Sequence, residues 1–199
     1  NCGPKSKTGA ARLAARSAMR VGAGAVKIVC DANVIDIIEP QISVELIEIA
    51  RNKQDFQNIL KDKKITAALI GPGNGVSDET KARALMALAF IDYVVLDADA
   101  LTVFSENPKE LFIDCYPHTI LTPHEGEFKK IFGNEINNIE ERSLKTAEAA
   151  KISNTIVVLK GADPVLASPS GDVVVNQSSA AYLATAGSGD VLAGIISSL

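Results

Sequence analysis

The chain is predicted to be an α/β domain: a mainly parallel central sheet, helices on both of its faces and an antiparallel hairpin near one edge. Three observations predict this. Short apolar runs recur along the 199 residues, with no Gly or Pro inside them. Amphipathic or alanine-rich stretches of helical character alternate with those runs. The runs are also apolar at both alternating positions, the pattern of strands buried on both faces.

The elements follow in order. Thr8 to Val21 reads as a helix rich in Ala, Leu and Arg, with Thr8 as its cap and Gly22-Ala23-Gly24 as its stop. Ala25 to Cys30 is a short strand. Ser43 to Leu60 reads as broadly helical. Ala67 to Ile70 is a strand ending at Gly71-Pro72-Gly73-Asn74-Gly75, and Asp78 to Ala89 is a helix capped by Ser77 or Asp78. Tyr93 to Leu96 is a strand ending at Asp97-Ala98-Asp99, and Thr119 to Leu121 one ending at Thr122-Pro123-His124-Glu125. Asn138 to Lys151 reads as a helix, and Thr155 to Leu159 as a strand ending at Lys160-Gly161. Leu166-Ala167 and Val173-Val174-Val175 flank Ser168-Pro169-Ser170-Gly171-Asp172, which predicts the hairpin. Without a linker or internal repeat, residues 1–199 are expected to form a single domain.

Composition narrows the function classes. A hydrophobic fraction of 47% with 22% charged residues is that of a globular protein. Aromatics make up only 5%, so Ala, Ile, Leu and Val are expected to build the core. A formal charge of -4 gives no general drive toward nucleic acid or an anionic membrane. No apolar run is long enough to span a bilayer, and no signal peptide opens the chain. Cys2, Cys30 and Cys115 are scattered, form neither a metal cluster nor a disulfide framework, and fit a reducing cytoplasm. The opening Asn1-Cys2-Gly3-Pro4 lacks an initiator Met and reads like the middle of a domain. Leu199 falls inside a helical pattern. The domain is therefore expected to lack its first strand and its C-terminal helices.

The chemistry-bearing residues sit at the carboxyl ends of the expected strands, where parallel sheets bind ligands. Thr185-Ala186-Gly187-Ser188-Gly189-Asp190 leads into the apolar run 191–196. Small residues before a helix start let backbone N–H groups approach an anion. Asp190 beside that anion site repels phosphate unless it takes a proton from an attacking hydroxyl. The alternative is a glycine turn with a favourable first-turn charge. Gly71 to Gly75 is a close-approach loop or a plain turn; it is neither a Walker A loop nor a dinucleotide fingerprint. Alternation puts Asp97 and Asp99 on one face if the strand geometry continues. They could hold Mg²⁺ through water or bond a sugar-like hydroxyl, or one of them caps the next helix. His124, one of two histidines, stands with Glu125 and Glu127 at a strand end, where both acids are candidates for metal-water or substrate contacts. Lys160, followed by Gly161, Ala162, Asp163 and Pro164, suits a nucleotide phosphate or ribose; the alternative is a surface turn.

Several strings in order resemble one family: TGAARLAARSAMRVGAG at 8–24, GPGNG at 71–75, VLDADAL at 95–101, ILTPHEGEF at 120–128, LKGA at 159–162 and ATAGSGDVLAGII at 184–196. Together they resemble the ribokinase-like superfamily, and within it the ADP/ATP-dependent NAD(P)H-hydrate dehydratases. The resemblance implies a ribokinase-like three-layer sandwich. It also implies repair of (6S)-hydrated NADH or NADPH: a nucleotide phosphorylates the ring hydroxyl, and phosphate then leaves. ADP or ATP would be co-substrate, with Mg²⁺ bridging its phosphates. Asp190 resembles the catalytic acid/base, and Gly187, Ser188 and Gly189 the anion hole. Lys160, Gly161, Ala162, Asp163 and Pro164 resemble the adenine-nucleotide stretch. Ala10, Gly73 and His124 resemble contacts to the hydrated dinucleotide. No role for Asp97 or Asp99 and no metal ligand comes with the resemblance. It further implies a homotetramer, as in many bacterial members. The chain departs from the family at Cys2 to Lys7, where a Gly-Gly-Ser loop is usual. It also has Pro164 and Thr102 where many members have Thr and Asn, and Ala186 where Gly is frequent. A small-molecule kinase of the same fold, of hydroxymethylpyrimidine or hydroxyethylthiazole type, is the alternative, and a non-catalytic nucleotide-binding module a further one.

Overall fold

The computed structural model describes residues 1–178 and 180–199. In chain order it holds α1 (Thr8–Val21), β1 (Lys27–Cys30), α2 (Ile35–Ile38), β2 (Leu46–Ile49), α3 (Lys53–Leu60), β3 (Ala67–Ile70), α4 (Asp78–Phe90), β4 (Tyr93–Leu96), α5 (Asp99–Thr102), α6 (Pro108–Asp114), β5 (Thr119–Leu121), α7 (Glu125–Asn137), α8 (Arg142–Ser153), β6 (Ile156–Leu159), β7 (Val165–Ala167), β8 (Val173–Val175) and α9 (Ser188–Ile196). A six-stranded sheet runs β3-β4-β5-β6-β7-β8. Its first four strands are parallel, and β7 and β8 add the antiparallel edge. β1 and β2 form a separate parallel pair. The segment Asn1–Gly3 runs between the two sheets. Cys2 N donates to Val29 O of β1 at 2.8 Å, and Asn74 Nδ2, in the loop after β3, donates to Asn1 O at 3.2 Å.

Both faces of the parallel sheet are covered, as the doubly apolar strands predict. Val94 and Leu96 of β4 join Val157 and Leu159 of β6 in the main core. Val95 and Val158 project from the opposite face by alternation and are buried as well. The largest fully buried side chains include Phe56, Phe104 and Phe128. This corrects the expectation of a core built from aliphatics alone: aromatics are few, but they are placed centrally. Each contributes about 1.5–3 kcal/mol on burial.

Two expected helices are redrawn. The stretch expected to be helical over Ser43 to Leu60 contains β2, and its helix begins only at Lys53. Ile47 pairs with Ile28 and Ile49 with Cys30, so a tertiary partner pulls this apolar run into a strand. Asn52 Oδ1 then accepts Asp55 N at 2.9 Å and caps α3. The helix expected over Asn138 to Lys151 is α8, which starts later, at Arg142, and runs on to Ser153. α7 ahead of it is unexpected; it starts at Glu125 and is broken at Gly133, whose φ of 74° no ordinary helical residue adopts. Thr8 is not the cap of α1 but its first residue, buried and with no capping bond ahead of it. Gly22 stops that helix at φ 117°, as expected. Ser77 rather than Asp78 caps α4. Among the described residues no helix is long and apolar enough to cross a membrane.

Candidate active site

The parallel register lines up the strand ends. Ile70 pairs with Leu96, Leu96 with Leu121 and Leu121 with Val157. Gly71, Asp97, Thr122 and Lys160 therefore emerge along one edge of the sheet. Lys160 Nζ donates to Asp97 Oδ1 at 2.6 Å and lies 3.9 Å from Glu127 Oε2. Asp97 is 1% exposed, and that lysine is the cation paired with it. Removing one partner of a buried pair leaves the other uncompensated. Lys160→Met is expected to cost about 3–5 kcal/mol of stability. The double variant with Asp97→Asn is expected to recover most of it, as read by chemical denaturation.

α9 brings the glycine loop to the same point. Gly187 precedes the helix at φ 88°, a left-handed turn that glycine permits. A Cβ there would sit 2.6 Å from Leu13 Cδ1, and one on Gly189 only 3.7 Å from Lys160 Nζ. Among the described residues the N–H groups of Gly189 and Asp190 bond to no protein acceptor. They are open donors at a helix start, favourable to an anion. Asp190 is half-buried beside them. Burial first, and then the nearby Asp97 carboxylate, push its carboxyl above the ordinary range, against the opposing pull of Lys160.

The loop after β3 forms the neighbouring wall. A Cβ on Gly73 (φ 68°) would lie 2.7 Å from Lys7 O and 3.1 Å from Ala10 Cβ, so Ala10 and Gly73 are adjacent. A Cβ on Gly71 would lie 1.7 Å from Asp97 O, which seats this loop directly on the turn after β4. Asp99 Oδ2 accepts Gly75 N at 2.7 Å and anchors the same loop. Asp97 and Asp99 therefore do not share a face. The strand geometry stops at Leu96, and Ala98 turns the chain with φ 49° and ψ −116°. That strained turn costs on the order of 1–3 kcal/mol, and it sends the two carboxylates to different partners.

His124 closes the arc after β5. Its Nδ1 accepts Gly126 N at 2.9 Å and Glu127 N at 3.3 Å. Its own N–H donates to Glu127 Oε2 at 2.8 Å, and its Nε2 lies 3.4 Å from Glu127 Oε1. Glu125, expected as a metal-water or substrate contact, is instead paired with Arg142 and with Lys145 Nζ at 2.9 Å. Burial, then Arg142, lowers the Lys145 ammonium below its ordinary pKa. Gly161, Ala162 and Asp163 are exposed, and Pro164 is half-buried with its carbonyl accepting Asn176 N at 2.9 Å. Arg142 escaped sequence reasoning. Its Nη2 donates to Leu159 O at 3.3 Å and Lys160 O at 3.4 Å, and it lies so close over Gly161 that a Cβ there would be 2.8 Å away. No local signal marks it, because its partners Glu125, Leu159 and Lys160 lie 17 or 18 positions away along the chain.

Asp190, Gly189, Lys160, Asp97, Glu127 and His124 thus converge, with Ala10 and Gly73 on the adjoining wall. The arrangement can bind an anion and place one carboxylate, its pKa raised by burial and by Asp97, beside it.

Comparison with known proteins identifies the family. A profile of the NAD(P)H-hydrate dehydratase family matches residues 2–199. The chain is 34% identical to the ADP-dependent (S)-NAD(P)H-hydrate dehydratase of Neisseria meningitidis serogroup B, covering 99% of this chain and 66% of that protein. It is 33% identical to the bifunctional NAD(P)H-hydrate repair enzyme Nnr of Gloeobacter violaceus, covering 99% of this chain. The chain spans 39% of that relative's length. Among solved structures, the ADP/ATP-dependent NAD(P)H-hydrate dehydratase of Bacillus subtilis, co-crystallized with ATP/Mg²⁺, superposes with a TM-score of 0.78 at 29% identity, over 99% of this chain and 71% of that one. A ribokinase-like superfamily protein from Enterococcus faecalis has the same fold, with a TM-score of 0.81 at 21% identity over 99% of this chain and 68% of that one.

Proposed function

The chain belongs to the NAD(P)H-hydrate dehydratase family, and from that premise we propose that it dehydrates (6S)-hydrated NADH or NADPH at the expense of ADP or ATP. The observation that carries this reading is Asp190: a half-buried carboxylate in the first turn of α9, between open N–H donors and Lys160. An acid at a phosphate site is unfavourable unless it handles the nucleophile's proton.

Asp190 takes the proton of the ring hydroxyl as its oxygen attacks the terminal phosphorus of the nucleotide. An O–P bond forms, and the bond from that phosphorus to the rest of the nucleotide breaks. The phosphate then departs with the C–O electron pair, and the neighbouring ring carbon gives up its proton to solvent water, the C–H pair restoring the double bond. Lys160 and the N–H groups of Gly189 and Asp190 stabilise charge on the transferring group. The anion hole is completed by the small residues Gly187 and Ser188. The exposed turn of Gly161, Ala162, Asp163 and Pro164 receives the adenine nucleotide. Ala10, Gly73 and His124 receive the hydrated dinucleotide.

Mg²⁺, when bound with the nucleotide, would supply positive charge against its phosphates. The donors present fit an ion carried on the nucleotide. Among the described residues no group of three or more His, Cys, Asp or Glu is arranged to hold a metal. Asp97 and Asp99 are engaged by Lys160 and by Gly75 N. Lys160 and the start of α9 would hold the ion through the phosphates they bind. The three buried free thiols support a reducing, cytoplasmic setting; burial pushes Cys30 up to about 11 and Cys115 up to about 12. A homotetramer is the assembly that family resemblance supports.

The test is direct. With Mg²⁺ and either nucleotide, the protein is expected to regenerate the absorbance of reduced nicotinamide from hydrated NADH. Failure with both nucleotides, together with a stable phosphate ester formed on a small alcohol, would replace this reading with the kinase.

A further inference from the structure

We propose that Glu127 is a positioning residue that couples the two substrate sides of the site, acting oppositely on each. The inference rests on the functional reading above for the identity of the substrates.

Glu127 is 8% exposed and touches both sides at once. Toward the dinucleotide it addresses His124. Two backbone N–H groups already fill Nδ1 of that ring, so a neutral imidazole there carries its proton on Nε2. Nε2 faces Glu127 Oε1 at 3.4 Å, and the other carboxylate oxygen accepts His124 N at 2.8 Å. Gly126 is required for this wrap, because a Cβ on it would sit 2.8 Å from His124 Cε1. The loop and the Glu127 carboxylate thus set the orientation of the His124 ring, which is exposed toward the dinucleotide side. Toward the nucleotide, Glu127 Oε2 lies 3.9 Å from Lys160 Nζ, which Asp97 already holds at 2.6 Å. Lys160 is therefore shared between two carboxylates and offers less of its charge to a phosphate. Glu127 strengthens the dinucleotide side and restrains the nucleotide side.

Glu127→Gln separates these effects from mere structure. The amide oxygen can still accept His124 N, so the turn and the thermal midpoint are expected to stay near wild type. Calorimetric titration without Mg²⁺ is expected to show ADP binding tightened by about threefold to tenfold, from removal of one nearby charge in a partly screened site. Hydrated NADH is expected to bind roughly tenfold more weakly, the scale of one charge-assisted hydrogen bond. In nitrogen-15 spectra the ring signals of His124 are expected to move. Those of His118, stacked on Tyr93 elsewhere with centroids 5.1 Å apart, are expected to stay. Joint weakening of both ligands with a falling midpoint would reduce Glu127 to a structural part and overturn the proposal. Unchanged ADP affinity with unmoved His124 signals would overturn it too. A wild-type protein that binds ADP but no hydrated NADH would refute the functional reading instead, while the ADP and histidine measurements still decide the role of Glu127.

Discussion

Asp190→Asn is expected to lower turnover by about 10²–10⁴-fold while nucleotide affinity stays close to wild type. The amide keeps the shape of the carboxylate, so the α9 start, with its open Gly189 and residue-190 N–H groups, remains as an anion site. What is lost is, among the described residues, the proton acceptor beside that site that is not already committed. Asp97 is taken by Lys160 at 2.6 Å, and Glu127 is engaged by His124 N at 2.8 Å. Affinity is expected to rise slightly if anything, because a negative charge next to phosphate is removed. The pH profile supplies an independent readout. Burial and Asp97 raise the Asp190 carboxyl above its ordinary value of about 3.9. The base form is the reactive one, so turnover falls as pH drops through the raised pKa, and the acid limb stands above the usual aspartate range. In Asp190→Asn that limb is expected to vanish from whatever activity remains. Steady-state rates across pH, with ADP binding measured alongside, check both points. A limb that persists unchanged would show that another group is the base.

The strands bounded by chemistry were legible to the residue. Ala67–Ile70, Tyr93–Leu96 and Thr119–Leu121 each stop where Gly71, Asp97 or Thr122 begins, and the structure keeps those bounds. β2 was not legible, because Leu46, Ile47 and Ile49 fit a helical or a strand period equally. Its pairing with Ile28 and Cys30 decides the matter, and that partner lies outside the local pattern. α7 was hidden because its first turn overlaps the polar strand-end residues Glu125 and Glu127. At the site, most of the participants stand out as residue types, but their partners do not. Lys160 and Asp97 are 63 positions apart and meet only through the register of three strands. Asp99 departs from Asp97 because Ala98 takes a positive φ, which alanine rarely does and no sequence pattern announces. Glu125 is removed from the site by Arg142 and Lys145 on α8, a choice made by tertiary packing.

Gly194→Ala, a change of one methyl at a residue outside the candidate site, is expected to cost about 10²-fold in turnover. Gly194 lies one helical turn beyond Asp190 on α9, against α1. An ideal Cβ there would sit 2.2 Å from both Ala14 O and Ser17 Oγ. The hydroxyl can rotate away, but the carbonyl belongs to the backbone of α1. It cannot yield without moving a helix whose Ala11, Ala14, Ala15 and Ala18 are all buried. The same crossing is tied by Ser17 Oγ, which lies 2.8 Å from Ala14 O and 3.0 Å from Val191 O, so one hydroxyl bridges both helices. α9 must therefore shift outward by about 1 Å, carrying Asp190 with it. Misplacement on that scale is enough for a loss of about 10²-fold in an aligned reaction. Overpacking adds a stability cost of about 1–3 kcal/mol. Adding Ser17→Ala is expected not to restore activity, since the carbonyl contact remains. Gly9→Ala is the matching control. It is the same substitution on α1, with nothing nearer to the new Cβ than Arg12 Nη2 at 3.9 Å, and it is expected to stabilise by up to about 1 kcal/mol. Thermal midpoints and single-turnover rates for the three variants would show whether the crossing of α1 and α9 sets the position of the base. Full activity in Gly194→Ala would mean that Asp190 tolerates the shift or that α9 is held from elsewhere.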